Sequence, residues 1–120
     1  MSGSIQQKKT EKLIQFEISE IIRTHPAFSQ GSMVSVTVIR LTPDKGMAKI
    51  YLTVFPDDKL EAVTDAMNAH MHEIRRLLAA RIKNKVRIVP EIRFYADDSF
   101  READKIERIF KKLDEEGKTE

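Results

Sequence analysis

The sequence predicts a single α+β domain in which helices cover one face of a small mixed sheet of three strands. The hydrophobic period switches repeatedly between helical and extended spacing, and the patterned segments follow one another in the order α-β-β-α-α-β-α without a long linker. At 120 residues, the chain has the size of one hydrophobic core. We therefore expect one domain over residues 1–120, with residues 1–5 and 114–120 flexible.

The N-terminal part of the chain predicts a helix. Its apolar residues recur at spacings that place them on one helical face. They are Leu13, Ile14, Ile18, Ile21 and Ile22. The pattern stops before His25-Pro26, because proline disfavours helical geometry in the residue that precedes it.

Two alternating segments after this helix predict an antiparallel hairpin. In the first, Val34, Val36 and Val38 alternate with Ser35, Thr37 and Ile39. In the second, one side holds Ala48, Ile50, Leu52 and Val54, and the other holds Lys49, Tyr51, Thr53 and Phe55. Residues 42–46 between them are typical of a turn, in which Pro43 fixes the first corner and Gly46 takes a positive φ at the exit.

The next segment predicts helix from residue 59 to about 83, a stretch without proline or glycine. Its apolar stripe consists of Leu60, Val63, Met67, Met71, Ile74, Leu77, Leu78 and Ile82. The length of the segment and the cluster of histidine and asparagine at residues 68–72 favour two helices or one bent helix over a straight rod.

A third strand and a last helix complete the predicted order. Residues 86–95 alternate between apolar and polar side chains, and Pro90 among them predicts a sheet edge or a bulge, because proline has no amide to donate. Ser99 and Glu102 match a capping box, whose side chains satisfy free amides at a helix start. The apolar residues that follow extend this helix to Leu113.

Positive charge is concentrated in one segment. Residues 74–87 include six basic side chains and no acidic one, although the net charge of the chain is only +2. On a helical wheel Arg76 and Lys83 fall opposite the apolar stripe. Ala79 and Ala80 lie between them and would let a phosphate backbone approach closely. The cluster would attract a polyanion, and the alternative is an ordinary solvated helix face.

Other classes of function lack support in the sequence. The chain has no cysteine, which excludes disulfides, thiolate nucleophiles and Cys-based zinc sites. We find no glycine-rich phosphate loop and no nucleophile–base pair, and we expect neither enzymatic activity nor a cofactor. His70 and His72 would point about 200° apart on a helix, which makes them a poor metal pair. No segment approaches the roughly 20 apolar residues of a membrane span, so we expect a cytoplasmic protein without membrane contact.

Several motifs together resemble the bacterial ribosome-binding factor A family. They are the Thr-Pro-Asp turn at 42–44, the Arg-x-x-Pro-Glu sequence at 87–91 and the Asp-Asp-Ser sequence at 97–99. The resemblance extends from about Gln7 to Leu113. KH domains in general hold phosphates with a Gly-x-x-Gly loop, which this chain lacks. His72 occupies the position at which this family has a kink glycine.

The resemblance implies a type II KH-like domain of α-β-β-α-α-β order plus a C-terminal helix. It also implies a non-catalytic factor that binds the free or immature 30S small ribosomal subunit and assists maturation of its 16S rRNA, especially at low temperature. We expect a monomer, with ribosomal proteins or an assembly GTPase as further candidate partners.

We expect phosphates of rRNA to be contacted by basic residues of two segments, because helical RNA is recognised largely through its shape and backbone. The candidate RNA-binding residues are Arg75, Arg76, Arg81, Lys83, Lys85 and Arg87, assisted by Lys8, Lys9 and Lys12. Arg81 falls on the apolar side of the wheel, so either its stem is buried or the helix ends near it. The alternative function is a protein-interaction adaptor that docks its basic helix on an acidic protein surface.

A second candidate surface is the face of the sheet that the helices would leave open. Tyr51, Phe55, Arg93 and Tyr95 are predicted to lie there, and the three aromatic residues could stack on bases. The alternatives are a covered face or simple packing between neighbouring strands.

Overall fold

The computed structural model describes residues 5–97 and confirms the predicted order of elements up to the third strand. The helices are α1 (Ile5–Thr24), α2 (Leu60–Ala69) and α3 (Met71–Ile82), and the strands are β1 (Met33–Leu41), β2 (Met47–Phe55) and β3 (Glu91–Ala96). One turn of 3-10 helix, Asp57–Lys59, leads into α2. The predicted capping box at Ser99 and the helix to Leu113 lie outside the described residues.

The three strands form a mixed sheet in the order β1-β2-β3. β1 and β2 are antiparallel and form the predicted hairpin. β2 and β3 are parallel, and α2 and α3 make the crossover that parallel strands require. The α+β prediction is confirmed, and the order of elements is compatible with a type II KH-like arrangement.

The hydrophobic core lies between the helices and one face of the sheet. Ile50 pairs with Ile39 on one side and with Phe94 on the other, so the buried residues of all three strands share one face. From the helices, the core takes Ile14, Ile18, Ile21, Val63, Met67, Ile74, Leu78 and Ile82. Met33 and Phe55 on the other face are 74% and 72% exposed. The helices of residues 5–97 therefore cover only one face of the sheet, as predicted.

β1 departs from the predicted alternation. A β-bulge shifts its register between Val36 and Val38. Val38 is consequently exposed, whereas Ile39 is buried. The predicted alternation is therefore wrong beyond Val36, because one extra residue in a strand reverses the faces of all residues that follow it.

The turn between β1 and β2 also differs from the prediction. Lys45, and not Gly46, takes the left-handed conformation, with a φ of 59°. The carboxylate of Asp44 accepts hydrogen bonds from the amide of Gly46 at 3.0 Å and from the hydroxyl of Thr42 at 2.7 Å. These bonds lower the pKa of Asp44 below its ordinary value. A Cβ atom at position 46 would lie 3.3 Å from this carboxylate, so glycine is favoured there by close approach.

β3 is shorter than predicted. It begins at Glu91, and the residues before it form turns and bends, so the predicted strand over residues 86–90 is wrong. Arg75 holds this connection, because its Nε donates to the carbonyl of Pro90 at 3.1 Å and its Nη2 donates to the carbonyl of Val89 at 3.0 Å. β3 lies at an edge of the sheet, as the proline predicted.

The helical segment is divided into α2 and α3 at His70, so the two-helix alternative is confirmed. Asn68 donates from Nδ2 to the carbonyl of Phe94 at 2.9 Å and accepts at Oδ1 from the amide of the same residue at 2.9 Å. Its side chain therefore pairs with the backbone of β3 as a neighbouring strand would. The ring of His70 packs against Phe28 with 5.2 Å between the ring centroids, so His70 takes part in packing at the junction.

The outer edge of β1 is covered by polar side chains of α1. Gln7 donates to the carbonyl of Leu41 at 2.8 Å, and Glu11 accepts from the amide of Leu41 at 2.8 Å. Gln15 donates to the carbonyl of Val36 at 3.0 Å. Because these three side chains are four residues apart, they lie on one helical face and can serve successive parts of one strand.

Candidate nucleic-acid interface

The outer side of α3 presents two of the predicted RNA-binding cations. The buried residues of this helix fix its orientation against the sheet. Arg76, Ala80 and Lys83 lie on the exposed side, and Ala79 between them is half-buried. Arg76 and Lys83 are seven residues apart, which corresponds to about 10 Å along a helix. The small side chains between them leave the helix backbone accessible to a bulky polyanion.

Two other predicted cations are engaged by the protein itself. Besides its bonds to the β3 connection, Arg75 lies 3.5 Å from the carboxylate of Glu91. Arg81 lies 3.7 Å from the carboxylate of Glu17, a residue of α1 that is only 7% exposed. α3 ends one residue after Arg81, as one of the two alternatives predicted. Both arginines therefore join α3 to neighbouring elements, and their charges are partly neutralised.

Three further predicted cations meet at a groove of about 700 Å³ between α1 and the connection that precedes β3. They are Lys9 from α1 and Lys85 and Arg87 from the connection. Lys45, from the turn between β1 and β2, lines the same groove. Lys45 was not among the predicted binding residues, because the turn motif explains the sequence around it and its charge played no part in that motif. The fold thus brings cations from three separate segments to one concave surface.

Lys8 and Lys12 are exposed on α1, but they do not line this groove. They are four residues apart, so they lie on one side of the helix, one turn from each other. Lys8 and Lys12 therefore lie apart from both the groove and the exposed side of α3.

The open face of the sheet carries a row of three cations. The sequence placed Lys49 and Arg93 on this face, but it predicted neither Arg40 there nor the row. The register pairs Arg40 with Lys49 and Lys49 with Arg93, so one cation of each strand lies side by side. All three side chains are exposed. None of them forms a salt bridge within residues 5–97. Each is an isolated charge in the sequence, and only the register of the strands unites them.

A row of aromatic residues lies next to these cations. Tyr51 pairs with Tyr95, and their rings are stacked with 5.4 Å between centroids and 26° between planes. Val38 precedes them in the same row and is 37% exposed. The sequence predicted the tyrosines on this face, and their contact matches the alternative of packing between neighbouring strands.

Within the described part of the chain, no group of three or more His, Cys, Asp or Glu side chains could hold a metal ion. No helix of residues 5–97 has the length and the apolar character needed to cross a membrane.

The comparisons with known proteins agree with one another. The sequence profile of the ribosome-binding factor A family matches residues 6–110. Ribosome-binding factor A of Chlorobaculum tepidum is 36% identical over 111 residues, which cover 92% of this chain and 92% of that protein.

Solved structures show the same fold. The crystal structure of ribosome-binding factor A from Thermus thermophilus has a TM-score of 0.64 and 19% identity, and the match covers 75% of this chain and 94% of that chain. A homology model of the Thermus thermophilus protein, fitted into a cryo-EM map of its complex with 30S, has a TM-score of 0.51 and 19% identity, with 72% of this chain and 89% of that chain covered. Because the family profile spans most of the sequence, the chain belongs to the ribosome-binding factor A family.

Proposed function

We propose that this protein binds the free or immature small ribosomal subunit and assists maturation of 16S rRNA. Its family membership supports a ribosome-binding role. The Thermus thermophilus relative fitted into a map of a 30S complex supports the small subunit as the target. In this proposal residues 1–120 act as one cytoplasmic domain, as a monomer and without a cofactor or catalytic chemistry. The contribution to maturation is greatest at low temperature, and ribosomal proteins or an assembly GTPase take part in the process.

The proposed mechanism is electrostatic docking on the phosphates of folded rRNA. Cations that face solvent can neutralise phosphates and release the counterions condensed around them, which favours binding at low salt. Of the candidate RNA-binding residues, those exposed without a salt bridge in residues 5–97 are Lys8, Lys9, Lys12, Arg76, Lys83, Lys85 and Arg87. Arg75 and Arg81 act mainly by holding the surface in shape, because both are already engaged with carboxylates.

The observation that carries this proposal is the convergence of separate cations at the groove between α1 and the β3 connection. Lys9, Lys45, Lys85 and Arg87 come from three segments of the chain and line one concave surface. A charge run on a solvated helix would not be met by cations from other elements. A concave surface with one sign of charge concentrates the field and suits a curved polyanion.

The test is binding of purified small subunits by the variant Arg76→Glu/Lys83→Glu. We expect affinity to fall about tenfold or more, because two phosphate contacts become repulsive. The fold should be retained, since both side chains are exposed. In a sucrose gradient of a cell lysate, the wild-type protein should travel with free small subunits and be absent from complete ribosomes.

A matched control comes from single charge reversals. Lys59→Glu changes the net charge as much as Lys83→Glu does, but Lys59 lies in the 3-10 turn before α2. Only Lys83→Glu should weaken binding. Undiminished binding by the folded double variant would contradict the proposal. Indifference to rRNA together with retained protein partners would support the adaptor alternative.

A further inference from the structure

The open face of the sheet is built differently from the helical surface, because it combines cations with aromatic rings. We propose that this face binds unpaired RNA, whose bases stack on Tyr51 and Tyr95 while its phosphates contact Arg40, Lys49 and Arg93. This inference rests on the proposed function, in which RNA is the partner, and it adds the class of RNA and a second surface.

The spacing of the two rows suits a nucleotide strand. Lys49 and Tyr51 are two residues apart on β2, so their side chains emerge on the same face about 7 Å from each other. A base and its own phosphate are separated by a comparable distance. Neighbouring strands lie about 4.8 Å apart, so the three cations form a band about 10 Å wide across the sheet. The backbone of a single strand can follow this band while its bases reach the tyrosine row.

Within residues 5–97, no salt bridge engages the three cations of this face. Among the described residues, Glu91 lies on the same face in the register, opposite Met47, and its carboxylate is 3.5 Å from Arg75. Asp97, beyond the end of β3, accepts a hydrogen bond from the hydroxyl of Thr37 at 2.6 Å. Within residues 5–97, neither carboxylate forms a salt bridge with the row of three cations. The described part of this face therefore presents positive charge beside an aromatic surface.

The aromatic surface of the tyrosines favours unpaired RNA as the partner. In a duplex the faces of the bases are occupied by their neighbours, whereas unpaired bases can stack on aromatic side chains. Beyond the tyrosines, a polar row of Ser35 and Thr53 is followed by the exposed Phe55 and Met33 at the end of the sheet.

The composition of the chain allows a direct test. Tyr51 and Tyr95 are the only tyrosines in the sequence, and there is no tryptophan. In full-length protein labelled with ¹³C at tyrosine, every ring signal in an NMR spectrum therefore reports on this face. A ten-nucleotide single-stranded RNA without self-complementarity should shift the signals of both rings, and a duplex RNA of the same length should leave them unchanged.

Variants separate the two surfaces. Lys49→Glu/Arg93→Glu should weaken binding of the single strand about tenfold, and Tyr51→Leu should do so by a similar factor, because each base stacked on an aromatic ring contributes strongly. Tyr51→Phe keeps the ring and should retain affinity. Arg76→Glu/Lys83→Glu should keep the tyrosine shifts even where it has lost binding to small subunits.

Unchanged tyrosine signals at saturating single-stranded RNA would overturn the inference, and so would equal shifts with the duplex. Destabilisation of the full chain by Lys49→Glu/Arg93→Glu with unchanged RNA affinity would also overturn it, because residues 98–120 or another part of the protein would then occupy this face. A wild-type protein that shifts its tyrosine signals but does not bind small subunits would instead contradict the proposed function.

Discussion

Individual basic residues in the charged segment have different roles. Arg75 and Arg81 contact carbonyl or carboxylate oxygens of neighbouring elements, whereas Arg76 and Lys83 face solvent. The sequence predicted the cluster of charge, but not this division. Whether a cation stabilises the fold or binds a ligand depends on the residue that it faces in space. For Arg81 that residue is Glu17, which is 64 positions away in the sequence.

Arg75→Ala should lower the free energy of unfolding by about 2 kcal/mol, because two backbone carbonyls lose a charged donor. Urea denaturation followed by circular dichroism measures this change. Arg76→Ala is the matched control, since it removes the same side chain from the exposed side of the same helix, and it should alter stability by less than about 0.5 kcal/mol. Equal losses in the two variants would contradict the assigned structural role of Arg75.

At the scale of elements, the sequence predicted which helices and strands form, but not all of their ends. Periodicity fixed α1 and β2 because each buries one continuous face. Periodicity failed in β1, where a bulge reverses the alternation. It also failed before β3, where Arg75 donates hydrogen bonds to the carbonyls of Val89 and Pro90. In both places a tertiary contact or an extra residue overrides the local pattern, and the hydrophobic period shows neither of them.

Asn68→Ala should destabilise the attachment of β3 to α2. The substitution leaves the amide and the carbonyl of Phe94 without their side-chain partner, which should lower the free energy of unfolding by about 2 kcal/mol. Hydrogen exchange of the Phe94 amide should also become faster. Asn84→Ala, at an exposed position after α3, is the control and should change neither quantity. An unchanged exchange rate at Phe94 would show that this side chain does not hold the strand.

The whole molecule presents positive charge on two sides of one sheet. The helical side could be predicted, because its cations are close together in the sequence. The strand side could not, because Arg40, Lys49 and Arg93 become neighbours only through the register of three strands. A nearly neutral chain thus carries two separate basic surfaces, and its net charge of +2 describes neither of them.

The two surfaces should contribute independently to the salt dependence of binding to small subunits. Arg76→Ala/Lys83→Ala should reduce the slope of log affinity against log salt by about 2, because each lost phosphate contact removes about one unit. Lys49→Ala/Arg93→Ala should reduce it by a similar amount, and the fourfold variant by about the sum, as distant sites are nearly additive. Fluorescence anisotropy at several salt concentrations measures these slopes. A fourfold variant no different from either double variant would contradict independence.

The stripe of Gln7, Glu11 and Gln15 along β1 has a consequence for how the protein behaves when many copies are crowded together. Fibrils of the cross-β type grow when an unpaired strand accepts another chain along its rim. Here amide and carboxylate side chains of α1 already bond to backbone groups on one rim, and Asn68 does so on the other. Copies at high local concentration should therefore resist polymerising through their strands.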